Sequence, residues 1–174
     1  MNSSEQPPLI LTALLPQDLH NWATALRTAH FPPDRNYLEA HVTLFHALPA
    51  GCEPEVIECC KALAKEHAPV AARLVGLMSL GGGTALKLES PEMRSLRAEI
   101  ADRFHGLLTQ QDQHSPRLHV TIQNKVTSTQ AKALQAELDE MIEPRAFAFR
   151  GIGLFRYRGG PWEPVREFAF RGNR

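Results

Sequence analysis

The tetrapeptides HVTL at residues 41–44 and HVTI at residues 119–122 decide how the rest of this sequence is interpreted. The two copies lie 78 residues apart in a chain of 174 residues. For a chain with 8 His, 7 Val and 9 Thr, roughly 0.02 chance copies of His-Val-Thr are expected, which measures the false-positive risk of so short a motif. Chance is therefore a poor explanation for two copies.

The residue types of the first copy are typical of a β-strand, because β-branched and apolar residues dominate it. Side chains on a strand point alternately to opposite faces. Val42 and Leu44 are therefore predicted to share an apolar core face. The same alternation puts His41, Thr43 and Phe45 together on the other face.

In the second copy, the alternation puts His119, Thr121 and Gln123 on one face. Two such faces across a cleft would place two imidazoles and two hydroxyls around one small anion. A neutral imidazole can take a proton from water near neutral pH, and a protonated one can give a proton to a leaving oxygen. The hydroxyls can donate to the non-bridging oxygens of a phosphate. The residues thus predict acid–base chemistry on a phosphodiester without a metal or another cofactor.

Two other interpretations of the histidines remain open. A single histidine on a strand is usually a structural hydrogen-bonding group, although two matched copies make this reading weaker. A zinc site would need a third protein ligand beside His41 and His119. Strand alternation puts His46 on the same face as Val42 and Leu44, which predicts a core or strand-end position.

Composition indicates one globular domain, or two tightly joined lobes, and excludes some partners. Hydrophobic residues make up 43% of the chain and charged residues 22%, and the net charge is zero. A neutral chain lacks the basic stripe that grips long nucleic acid, although it can still recognise one phosphate or one strand end. We expect a cytoplasmic protein, because the polar start of the chain is unlike a signal peptide and there is no long apolar run for a membrane. We also expect a monomer.

Arginines are concentrated near the end of the chain, where they form either the positive wall of a cleft or an ordinary solvated strand edge. They are Arg145, Arg150, Arg156, Arg158, Arg166, Arg171 and Arg174.

The spacing of the cysteines, Cys52, Cys59 and Cys60, matches no zinc-binding pattern. We expect them to be small buried residues on a helix in a reducing compartment.

The order of predicted elements repeats, which indicates an internal duplication. Each half has a strand, a helix, the His-Val-Thr strand, a helix and a further strand, and we place the two lobes at residues 8–80 and 84–171 of a single bilobal domain, 1–174. Residues 146–157 are predicted to form one strand, and Ser90 is predicted to cap a helix. The predicted class is α+β, with two pseudo-symmetric lobes, each an antiparallel or mixed sheet with helices on its outer face, and a cleft between them.

The paired H-x-T-x motifs resemble those of the 2H phosphoesterase superfamily, and more closely its 2′-5′ RNA ligase-like and RNA 2′,3′-cyclic phosphodiesterase branch. This resemblance implies a metal-independent site in the cleft, with His41 and His119 as the catalytic pair. It implies that Thr43 and Thr121 bind the phosphate. The implied partner is RNA or a nucleotide that ends in a 2′,3′-cyclic phosphate, which is hydrolysed to a 2′-phosphate.

Four further residues are predicted to bind substrate: Phe45, Gln123, Arg156 and Tyr157. Phe45 would stack on a base and Gln123 would hydrogen-bond a base edge or ribose, as single-stranded RNA ends are often bound. The second motif continues as QNK at 123–125, without an immediate aromatic or basic residue, so base recognition is predicted to differ from that of better-known relatives. The alternatives are a 2′-5′ RNA ligase and a non-catalytic module that binds nucleotides or RNA ends.

Overall fold

The computed structural model describes residues 6–174, so the first five residues of the predicted polar start lie outside it. The described part of the chain forms eight strands and four α-helices. The strands are β1 Leu9–Leu14, β2 Val42–Leu48, β3 Val70–Ser79, β4 Thr84–Glu89, β5 His119–Gln123, β6 Arg145–Phe149, β7 Gly151–Tyr157 and β8 Trp162–Ala169. The helices are α1 Gln17–His30, α2 Glu53–Glu66, α3 Pro91–Arg103 and α4 Ser128–Asp139.

The strands form two four-stranded sheets, and every neighbouring pair in them is antiparallel. One sheet has the order β2-β1-β7-β8, and the other has the order β5-β4-β3-β6. Helix α2 packs against β7 and β8, and α3 and α4 pack against β3. The predicted α+β class is therefore confirmed.

The two sheets do not coincide with the two halves of the sequence. Strand β3, from the first half, pairs with β4 and β6 of the second half. Strand β7, from the second half, pairs with β1. The element order repeats as predicted, but the lobe boundaries at 8–80 and 84–171 need correction, because each sheet contains strands of both halves.

The predicted single strand at 146–157 is two strands that belong to different sheets. The chain leaves β6 at Phe149 and enters β7 at Gly151. Between them, the Arg150 amide donates to the carbonyl of Leu14. A side chain at Gly151 would bring its Cβ to 2.3 Å from the carbonyl oxygen of Phe168, so this change of sheet needs a glycine.

Two buried arginines join the two halves at the edge strands β2 and β5. Arg27 of α1 donates from Nη1 to the carbonyl of Thr121 at 2.7 Å. Arg97 of α3 donates from Nε to the carbonyl of Leu44 at 3.1 Å. Each arginine thus contacts the motif strand of the other half. Their exposures are only 3% and 4%, so these contacts are shielded from water.

Helix boundaries follow local sequence closely. Ser90 caps α3 by accepting a hydrogen bond from the Met93 amide at 3.1 Å, as predicted. Cys59 and Cys60 are buried on α2, as predicted, and Cys52 immediately precedes that helix.

In the residues that the structure describes, no helix is both long enough and apolar enough to span a membrane.

Candidate active site

The two motif histidines make the same backbone contact. Nδ1 of His41 lies 2.8 Å from the carbonyl oxygen of Glu39, and Nδ1 of His119 lies 2.6 Å from that of Arg117. A carbonyl oxygen only accepts, so Nδ1 carries the proton and donates in both cases. Each contact therefore fixes the ring and leaves Nε2 for proton transfer.

The environment of His41 favours its neutral form. Burial lowers the pKa of His41 to about 4, although the hydrogen bond to Glu39 opposes this shift. Positive charge on Arg27, His119 and His46 lowers the pKa of His41 further. Near pH 7, His41 is therefore a neutral imidazole that can accept a proton.

Trp162 forms part of the surroundings of His41, and sequence reasoning did not select it. The centroid of its ring lies 4.5 Å from that of His41, at an interplanar angle of 58°. The ring of Phe155 lies 5.6 Å from Trp162 on the same side. The pairing of β7 with β8 brings Trp162 to His41 from 121 residues along the chain, so local sequence carries little signal of this contact.

The motif threonines have hydroxyls available for a ligand. Thr43 lies opposite Thr12 in the β1–β2 pair, and Thr121 lies opposite Ala85 in the β4–β5 pair. Both are half-buried. Neither hydroxyl makes a hydrogen bond with any of residues 6–174.

Phe45 is not in the cleft, so its prediction as a base-stacking residue is wrong. Thr12 pairs with Thr43 while Leu11 pairs with Phe45, so Leu44 is an extra residue in β2. This β-bulge reverses the alternation beyond it and turns Phe45 into the core. The side chain is 0% exposed, and the Arg97 guanidinium lies 4.1 Å from its ring centroid.

Gln123 is excluded from the cleft by the same feature in the second motif, so that prediction is also wrong. Ala85 pairs with Thr121 while Thr84 pairs with Gln123, which makes Ile122 the extra residue. Gln123 is 6% exposed, and its Oε1 accepts a hydrogen bond from the Thr84 hydroxyl at 3.0 Å. Both motifs therefore contain a bulge at their fourth residue.

The bulge in β2 also exposes His46, for which simple strand alternation predicted a core or strand-end position. The buried carboxylate of Asp112 accepts hydrogen bonds from the backbone amides of His46 and Ala47, both at 2.9 Å. Nδ1 of His46 lies 3.2 Å from the same carboxylate. Burial opposes ionisation of Asp112, but these hydrogen bonds lower its pKa overall. Asp112 thereby anchors the segment before β5 on the edge of β2.

Arg156 forms an ion pair within the protein, and its role as a substrate ligand stays a prediction. It lies opposite Leu9 on the core side of its sheet, and its guanidinium binds both oxygens of Glu53 at 2.8 and 2.9 Å. This pair ties β7 to α2. Tyr157 is 45% exposed opposite Trp162, and its role in binding stays a prediction.

Most of the C-terminal arginines are paired with carboxylates, which favours the interpretation as a solvated strand edge. In addition to Arg156, the ion pairs are Arg145–Asp18, Arg150–Glu167, Arg158–Glu163 and Arg174–Glu66. Within residues 6–174, no cluster of three or more potential metal-binding side chains is present.

Two large cavities lie beside the motifs. One, of about 660 Å³, is lined by His41 and by the aromatic side chains of Tyr37, Phe155 and Trp162. The other, of about 740 Å³, is lined by Arg117 and Leu118 immediately before His119. Tyr37 is 61% exposed, so its ring is accessible from solvent.

Comparison with known proteins shows the family. Residues 15–161 match the model of the 2′-5′ RNA ligase superfamily. The chain therefore belongs to that superfamily, within the 2H phosphoesterases. Among curated proteins, none matches this sequence significantly.

Solved structures share the fold. TT0787 of Thermus thermophilus aligns with 96% of this chain and 100% of its own, at a TM-score of 0.65 and 18% identity. E. coli LigT complexed with 3′-AMP aligns with 95% of this chain and 99% of its own, at a TM-score of 0.54 and 18% identity. A structure described as a phosphoesterase aligns over 95% and 99%, at a TM-score of 0.57 and 18% identity.

Proposed function

We propose that this protein hydrolyses the 2′,3′-cyclic phosphate at the end of RNA or of a nucleotide and leaves a 2′-phosphate. The observation that carries this proposal is the matched orientation of His41 and His119. Each donates from Nδ1 to the carbonyl two residues earlier and keeps Nε2 for the substrate. A non-catalytic binding module has no need for two groups oriented in this way.

In the proposed mechanism, His41 is the general base, because burial keeps it neutral near pH 7. Its Nε2 takes a proton from water while the water oxygen forms a bond to phosphorus. The bond between phosphorus and the 3′ oxygen breaks, and His119 gives a proton to that oxygen. The Thr43 and Thr121 hydroxyls donate to the non-bridging oxygens, where negative charge increases in the transition state.

The comparisons and the cavity beside His41 support a nucleotide substrate. E. coli LigT has been solved in complex with 3′-AMP, with ATP, with NADP+ and with phosphate. In this chain, Tyr37 and Trp162 line the cavity next to His41 and offer aromatic faces to a base. Stacking on an aromatic ring contributes about 1–3 kcal/mol per base.

The test is turnover of a panel of nucleoside 2′,3′-cyclic phosphates, with products identified by chromatography and mass. We expect His41→Ala and His119→Ala each to lower kcat by about 10²-fold or more, because each removes one proton-transfer group. Thr43→Ala and Thr121→Ala should each raise the barrier by about 1–3 kcal/mol. His105→Ala is the matched control, since this exposed histidine lies outside both motifs. The activity should persist in excess EDTA.

Other outcomes would support one of the alternatives. Tight binding of every cyclic nucleotide without turnover would indicate a non-catalytic module. Joining of a cyclic phosphate end to a 5′-hydroxyl, in preference to hydrolysis, would indicate a 2′-5′ RNA ligase. Exclusive formation of a 3′-phosphate would contradict the assignment of the leaving oxygen.

A further inference from the structure

The two large cavities occupy corresponding positions in the two halves. The cavity beside His41 is formed by β1, by the segment before His41 and by β7 and β8. The cavity beside His119 is formed by β4, by the segment before His119 and by β3. Strand β4 opens the second half as β1 opens the first, so the two strands are counterparts in the repeat. The segment in each cavity leads directly into a motif histidine. The pseudo-symmetry thus places one cavity next to each histidine.

The two cavities differ in charge. The cavity beside His41 is lined by Arg150 and Arg166 and by Glu39 and Glu167, which balance one another. The cavity beside His119 is lined by three cationic side chains and by one carboxylate, Glu89. We call it the basic cavity, and its cations are Lys87, Arg94 and Arg117.

Lys87 connects the basic cavity with the catalytic centre. It lies directly opposite His119 in the β4–β5 pair, so the two side chains leave the same face of the sheet. Arg117 is two residues before His119, and its carbonyl holds Nδ1 of that histidine. Arg94 reaches the cavity from α3, where its Nη2 lies 3.4 Å from the Ser115 hydroxyl.

These cations are not neutralised by the protein. Across residues 6–174, no carboxylate lies within salt-bridge distance of Lys87, Arg94 or Arg117, in contrast to most of the C-terminal arginines. Glu89 shares the strand face of Lys87 but lies opposite Arg73 of β3, which offsets its charge. An unneutralised cluster of lysine and arginine in a cavity suits a phosphate.

We propose that the basic cavity binds a second phosphate of the substrate, the one on the 5′ side of the nucleoside that carries the cyclic phosphate. This inference rests on the proposed function and names its substrate class. An RNA 3′ end with at least one internal phosphodiester is therefore the preferred substrate, bound more tightly than an isolated nucleoside cyclic phosphate, which is still hydrolysed. The net charge of the chain is zero, which fits recognition of one strand end and not of a long nucleic acid.

The test is equilibrium binding by calorimetry, which does not depend on turnover. The ligands are adenosine 2′-phosphate, adenosine 2′,5′-bisphosphate and the dinucleotide ApA with a 2′-phosphate at its 3′ end. We expect the bisphosphate and the dinucleotide to bind about tenfold or more tightly than the monophosphate, since each adds one charged contact. This advantage should shrink as the salt concentration rises.

Variants locate the second phosphate. Lys87→Met and Arg94→Met should each reduce the affinity ratio of dinucleotide to monophosphate by about threefold or more, and Glu89→Gln should increase it. Arg103→Met is the matched control, because it removes an exposed cation of α3 that does not line the cavity, and it should leave the ratio unchanged.

Two results would overturn the inference. A dinucleotide that binds no more tightly than adenosine 2′-phosphate would show that the cavity takes no second phosphate. A bisphosphate that binds tightly while the dinucleotide does not would assign the cavity to a terminal phosphate of a mononucleotide. Both results leave the proposed hydrolysis intact, since that is tested by turnover of the nucleoside cyclic phosphates alone.

Discussion

At the scale of single residues, His41 is set apart from an ordinary surface histidine by the groups that cover it. Its Nδ1 is held by a carbonyl, Trp162 packs against its ring, and Arg27 places a positive charge nearby. Burial and positive charge both disfavour a second proton. The pKa of about 4 thus results from packing around the ring and not from the motif itself.

The pH dependence of activity should report this packing. A general base works only when it is neutral, so kcat/KM should fall on acidification only as pH approaches the pKa of His41, about 4. Trp162→Ala should hydrate the imidazole, raise this pKa toward the ordinary value of about 6.5 and move the acidic limb to higher pH. NMR titration of the His41 ring in the free protein, with and without the substitution, measures the same shift directly. An acidic limb that stayed in place while the pKa of His41 measured by NMR moved would exclude His41 as the base.

At the scale of elements, a β-bulge at the fourth residue of each motif decides which side chains reach the cleft. Before the bulge, the histidine and threonine share one face, as simple alternation predicts. Beyond it, Phe45 and Gln123 turn inward and His46 turns outward. Bulges are common beside active sites because they redirect side chains within a strand.

The position of Phe45 leads to a prediction about stability. Phe45→Leu should lower the free energy of unfolding by about 1–2 kcal/mol, because the smaller side chain fills the buried site less well and loses contact with the Arg97 guanidinium. KM for cyclic nucleotides should change by less than about twofold, since Phe45 does not touch the substrate. Urea unfolding and steady-state kinetics measure the two effects. Trp162→Ala is the comparison, and it should raise KM. A rise in KM for Phe45→Leu as large as that for Trp162→Ala would restore Phe45 to the cleft.

At the scale of the whole molecule, the two halves are interleaved and not merely adjacent. Strands β3 and β7 complete sheets that begin with strands of the other half. Arg27 and Arg97 add reciprocal contacts, each from a helix of one half to the motif strand of the other. Together these connections join the two motif strands, because neither sheet can form from one half alone.

Loss of one of these arginines should therefore affect both stability and catalysis. Arg97→Met should lower the free energy of unfolding by about 2–4 kcal/mol, because it leaves the buried carbonyls of Leu44 and Asp112 without their donor. The kcat for cyclic nucleotides should fall as well, since the first motif loses its contact with α3. Urea unfolding measures the first effect, and Arg103→Met, at an exposed position of the same helix, is the control. An Arg97→Met protein as stable as the native one would show that this contact is dispensable.

Local sequence determined much of this protein. Helix starts such as Ser90 depend on a few neighbouring residues, so they follow from local chemistry. The repeated element order was visible because each element has its own hydrophobic period. The two His-Val-Thr copies indicated the family, which the comparison confirmed, and they supply the four residues of the proposed catalytic centre.

The tertiary structure alone decided which other residues surround that centre. A bulge is a property of a pair of strands, so alternation along one strand did not reveal that Phe45 and Gln123 are buried. Strands β3 and β7 each join a sheet that contains strands of the other half, which depends on the free strand edge that each one reaches. Residues 146–157 carry no local sign of the change from one sheet to the other. Trp162 and Lys87 lie beside the histidines only because distant strands pair in one register. Local patterns specify elements, whereas contacts between elements are set by the packing of the whole chain.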